Sequence, residues 1–107
     1  MEKPERVADG LWSLGSELAF RDADDVKVAL AHEIVRTIEA KRLSRVGAAK
    51  ALGVGQARIS NLINGRLDEV SIFRLLRHLM RLNYDVELRI KPQKRRHGRM
   101  RVIPNGN

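Results

Sequence analysis

Around Gly53 the chain sets small and large aliphatic residues at intervals that leave its backbone few choices. Ala49 lies four residues before this glycine, Ile59 six after it and Leu62 nine after it. Two short helices that cross steeply need a small side chain where they touch, and Ala49 supplies one. The turn between them needs a residue free to take positive φ, which Gly53 provides. Leu52, Val54, Ile59 and Leu62 are then expected to close a core beneath the turn. In "GVGQARISNLINGR" only Ile59 and Leu62 are large aliphatic anchors, and the remainder includes Gln56, Arg58, Ser60, Asn61, Asn64 and Arg66. A helix made this way hides one side and offers hydrogen-bonding groups on the other. The spacing predicts a helix-turn-helix whose second helix is free to enter a DNA major groove.

Composition narrows the setting. A chain of 107 residues accommodates one domain with tails. Hydrophobic content of 43% suffices for a core, and aromatic content of 4% points to a small helical one of Leu, Ile, Val and Ala. With no cysteine, disulfide scaffolds and cysteine-ligated metal sites are excluded. No apolar run is long enough for a bilayer, and "MEKPERVADG" lacks the apolar stretch of a signal peptide. A cytoplasmic protein, nucleoid-associated through its function, is expected. The net charge of +8 is uneven: residues 1–25 carry −4, residues 26–90 carry +6 and residues 91–107 another +6. A basic body suits a polyanionic partner.

The coarse reading has an N-terminal arm (residues 1–21), a helical domain with a terminal strand (22–92) and a basic, disordered tail (93–107). The first helix is expected from Asp22, its N-cap, with Asp24 and Asp25 in the first turn where the dipole favours acids. Val26, Leu30, Ile34 and Ile38 recur every fourth residue as one buried stripe. Ser44 suits the cap of a short second helix that Gly53 ends. A third helix follows from about Gln56 to Ile63, closed by Asn64 and Gly65. The fourth, "SIFRLLRHLMRL", is capped by Ser71, with Val70 and Leu75 spaced as a hydrophobic staple. Asn83 stands where a left-handed C-terminal residue is expected. "YDVELRIKP" alternates, with Val86, Leu88 and Ile90 on one face. A lone strand leaves backbone groups unpaired, so pairing with the same strand of a second protomer is expected.

From Leu43 to Arg66 the chain resembles the XRE-type helix-turn-helix family of repressors. Over residues 18–92, and most specifically in "AAKALGVGQARISNLINGR" and "SIFRLLRHLMRLNYDV", it resembles the branch containing HigA-type antitoxins. The resemblance implies an all-α fold of four to five short helices, lambda-repressor-like, here with the C-terminal β-strand added. It also implies that Gln56, Ala57, Arg58 and Asn61 face base edges, and that Arg45, Lys50, Asn64 and Arg66 grip phosphates. The chemistry agrees, since Gln can pair bidentately with adenine and Arg with guanine, and Ala57 can touch a thymine methyl. Two positions depart from the family pattern. Its usual Thr-Gln opening of the second helix is Ser44-Arg45 here, and its Ser or Thr before the recognition-helix Gln is Gly55.

Nothing in the sequence suggests catalysis, a cofactor or a metal site. His32, His78 and His97 have no metal-ligand spacing among them, and His32 and His78 are expected at the surface. Leu11, Trp12, Leu14 and Leu18 form an apolar patch in the acidic arm, suited either to the core or to docking on a partner such as a toxin. The expected function is that of a dimeric DNA-binding regulator on a palindromic operator, an antitoxin repressing its own operon by the resemblance. The alternatives are a stand-alone, phage-like repressor and, from another class, an adaptor for RNA or the ribosome.

Overall fold

Val26, Leu30, Ile34 and Ile38 recur at helical spacing, and each is at most 4% exposed. In the computed structural model, which describes the backbone of residues 9–104 and the side chains of residues 24–104, they line the inner side of helix α1 (Asp9–Ala40). That helix starts earlier than its acids suggest. It passes through Asp22 without a break, so Asp22 lies within the helix rather than capping it. No proline interrupts residues 9–40, and the glycines there are tolerated at about 1 kcal/mol apiece. Leu11, Trp12, Leu14 and Leu18 fall on this first part of α1, and their side chains lie outside the described residues. At its other end α1 closes with Arg42 at φ 55°, where the Leu43 N–H donates to the Ile38 carbonyl at 3.0 Å.

Three shorter helices complete the domain. Helix α2 (Arg45–Leu52) is capped by Ser44, whose hydroxyl accepts from the Gly47 N–H at 3.0 Å. It ends at Gly53 in the left-handed region, φ 70°. Helix α3 (Gln56–Ile63) follows after the three residues Gly53, Val54 and Gly55, and Gly65 turns the chain out of it at φ 71°. Helix α4 (Ile72–Arg81) is capped by Ser71, which accepts from the Arg74 N–H at 3.0 Å. Val70 and Leu75 both join the apolar cluster, as the staple spacing requires. Asn83 takes φ 76°, letting the Tyr84 N–H reach the Leu79 carbonyl at 3.0 Å.

The core lies where all four helices meet. Ile34, Ile59 and Leu75 are fully enclosed, with Ala49, Leu52, Leu62, Leu79 and Leu82 around them. Each enclosed Ile or Leu contributes about 1.5–3 kcal/mol over its exposed state. Two polar links fasten the outer layer to α1. The Thr37 hydroxyl donates to the Glu33 carbonyl at 2.8 Å and lies 2.7 Å from the Tyr84 hydroxyl. Lys27 Nζ donates to the Leu67 carbonyl at 3.3 Å.

The expected C-terminal strand does not form. Among the described residues none lies in a strand, and Val86, Leu88 and Ile90 do not share one environment. Val86 packs against the core, whereas Leu88 and Ile90 are 81% and 93% exposed. Alternation is a local property, but a strand exists only through hydrogen bonds to a neighbour. Within this chain Val102 comes back to the core as a packed side chain, not as a paired backbone. Ile103 beside it is 70% exposed. None of the described helices is long and apolar enough to cross a membrane.

Candidate nucleic-acid interface

The turn between α2 and α3 sets the outward face of α3. Gly53 at φ 70° reverses the chain, and Val54 donates back to the Ala49 carbonyl at 3.0 Å. A Cβ on Gly53 would stand 3.1 Å from Arg81 Nη2. The arginine lies across this turn, and its Nε donates to the Ala51 carbonyl at 3.1 Å. That places a cation at the negative end of the α2 dipole, where it is favoured. Helix α4 thereby braces the joint on which α3 is mounted.

On α3 only Ile59 and Leu62 are buried. Gln56, Ala57, Arg58 and Asn61 are all exposed, on the side turned away from the core. Arg45, at the start of α2, and Lys50, near its end, are exposed too, as are Asn64 and Arg66 just beyond α3. From Ala40 to Leu67 the sequence contains no Asp or Glu, so neither α2 nor α3 carries an acid that would repel a polyanion. Gly55 caps α3 without a side-chain hydrogen bond, in extended backbone at φ −81° with open space beside it. The departure from the family pattern at this position therefore removes one cap and no packing.

Two features were missed by the sequence reading. The Arg45 guanidinium donates to the Ser60 hydroxyl, tying the first residue of α2 to α3. A contact between positions 15 apart has no local signature. The second feature was legible. His78, expected at the surface, is 5% exposed, because it sits on the α4 stripe with Leu75, Leu79 and Leu82. Burial disfavours its charged form, and Arg74, Arg58, Arg77 and Arg81 add repulsion, so its pKa falls below the usual histidine value. His32 is exposed, as expected. No group of His, Asp or Glu able to hold a metal ion occurs among the described residues.

Geometry of this kind suits binding. The outer face carries groups able to donate and accept hydrogen bonds, Gln56, Arg58 and Asn61, with the exposed cations Arg45, Lys50 and Arg66 flanking them. A family model described as a helix-turn-helix domain matches residues 16–91. A solved structure carried under the provisional description of an XRE family transcriptional regulator superposes with a TM-score of 0.72 and 35% sequence identity. The match covers 78% of this chain and 97% of that one. No curated protein matches.

Proposed function

The chain belongs to the helix-turn-helix domain family, and from that premise we propose that it is an XRE-type transcription regulator seating α3 in the major groove of duplex DNA. The observation that carries this reading is the division of α3 itself. Two buried aliphatic residues hold it, while Gln56, Ala57, Arg58 and Asn61 are exposed on a helix without acids. In this reading Gln56, Arg58 and Asn61 address base edges, and Arg45, Lys50, Asn64 and Arg66 fix the register on phosphates. Selection from a pool of random duplexes tests it. A short enriched motif is the expected result. Recovery of no motif, or better retention of structured RNA, overturns it.

We further propose that two copies bind a two-fold operator and that the protein is an antitoxin acting on its own promoter. The antitoxin reading is supported by the resemblance to HigA-type sequences and by the contrast between the −4 of residues 1–25 and the positive remainder. An acidic segment suits a basic toxin, with Leu11, Trp12, Leu14 and Leu18 as apolar anchors. Deleting residues 1–20 should abolish neutralisation of a toxin encoded beside it while duplex binding survives, since Val26, Leu30, Ile34 and Ile38 of the buried stripe are retained. Full neutralisation by the truncated chain would remove these anchors from the interface. A neighbourhood encoding no toxic protein leaves a stand-alone repressor.

A further inference from the structure

Beside the outward face of α3 lies a concavity that the expected DNA contacts Arg58, Asn61 and Arg66 share with Glu69 and His78, to which no contact has been assigned. Arg58 and Asn61 on α3 form one wall, with Arg66 and Glu69 from the connection that follows, and His78 on α4 forms the floor. Arg58 and Arg66 have no carboxylate partner among the described residues, and neither do Arg74 and Arg77. Glu69 is the one acid lining the hollow, so the balance there is positive. The His78 ring has no hydrogen-bond partner among the described residues, yet none of their buried side-chain nitrogens is left unsatisfied. Its nitrogens therefore open onto the hollow. Unpaired guanidinium groups around an imidazole with free hydrogen-bonding capacity form a donor set that lacks its acceptor.

We propose that this concavity is a phosphate-binding pocket, with the His78 imidazole as its floor and Arg66 as the cation that takes the phosphate. The DNA backbone can supply the phosphate, in which case the pocket extends the interface from α3 onto α4 and rests on the regulator reading above. A free phosphate or phosphorylated small molecule has the same chemistry and would compete for Arg66. Either ligand brings negative charge against the ring and favours imidazolium, which adds a second N–H donor. Binding is thus coupled to proton uptake. The groups around the ring fix the sign. Arg74, Arg77 and Arg81 along α4 and Arg58 from α3 oppose protonation in the free protein, while Arg66 and Glu69 line the same hollow with opposite charges.

The test follows the His78 ring resonances of the full chain by NMR while pH is varied. The titration is run in sodium chloride, then with inorganic phosphate at matched ionic strength, then with a mixed-sequence duplex. The expected result is an upward move of the His78 midpoint by about one pH unit with phosphate or duplex, reduced in Arg66→Ala. A move with duplex but not with inorganic phosphate assigns the pocket to the DNA backbone. A move with inorganic phosphate in a protein that retains no duplex upholds the pocket and ends the DNA reading. A duplex that binds while the His78 midpoint matches the chloride control overturns the pocket and leaves the DNA reading standing. As an independent measurement, duplex affinity should rise several-fold on acidification across about pH 8 to 5. His78→Gln should flatten that dependence, and an undiminished slope in the variant counts against the proposal.

Discussion

Arg58 and Arg45 are both exposed cations a short distance apart in sequence, yet their surroundings predict different losses. Arg58 stands on the outer face of α3, and in the proposed reading its bidentate contact would discriminate between bases. Arg58→Ala should cost about 1–3 kcal/mol on the selected duplex and relax the preference at one base pair. Arg45, held by the Ser60 hydroxyl at the joint of α2 and α3, should behave as a phosphate contact. Arg45→Ala should weaken all duplexes alike and lower the slope of affinity against salt by about one. Equal losses of Arg58→Ala on selected and scrambled duplexes would exclude it from base reading. His78 gives a prediction for the protein alone. Its folded-state pKa lies below that of the unfolded chain, so between those two values the unfolded state binds more protons. The contribution of this residue to stability is complete above about pH 6.5 and declines as pH falls toward the folded-state value. Melting temperature should therefore fall on acidification, and less steeply in His78→Gln than in the parent. Parallel slopes in the two proteins would place the acid sensitivity elsewhere.

For the helices, the turn at Gly53 is the point at which one side-chain carbon decides the geometry. Gly53→Ala forces a non-glycine residue to φ 70° and drives its Cβ toward Arg81. The left-handed strain alone costs about 1–2 kcal/mol. Moving the arginine also loosens its bond to the Ala51 carbonyl. Urea denaturation should register at least that loss, whereas Gly55→Ser, in open space at the α3 cap, should stabilise by about a few tenths of a kcal/mol. Unchanged stability in Gly53→Ala would show that the turn does not depend on its glycine. Features of this kind were legible because they are local. Ser44, Gly53, Ser71 and Asn83 announce helix ends through their own backbone preferences, and the structure has each in its expected role. The buried face of α4 was equally visible in its spacing, and His78 was misjudged by weighing its polarity above its place beside Leu75 and Leu79. The long α1 was misread because acids at Asp22, Asp24 and Asp25 resemble a first turn and are also tolerated inside a helix. The strand failed for a different reason: "VELRI" states which residues would share a face and says nothing about a neighbour to pair with.

Across the whole molecule, charge is divided by region more sharply than any single element shows. Residues 93–104 carry no helix or strand, and five of the eight residues from Lys94 to Arg101 are Lys or Arg. Deleting residues 93–107 should lower affinity for every duplex and leave their ranking unchanged, as expected for contacts with phosphates alone. A changed ranking, read by competition between selected and scrambled duplexes, would mean that the segment reads a groove. Because Val102 packs against the core, the deletion should also reduce stability slightly, which a thermal melt separates from the binding loss. The economy of α3 has a consequence beyond this one protein. A reading helix pinned by two aliphatic side chains keeps its vocabulary separate from its grammar. Substitutions at Gln56 and Ala57, exposed in the first turn of α3, should shift stability by only about half a kcal/mol. After a gene duplication, one copy can therefore drift to a new target in a few steps while every intermediate still folds.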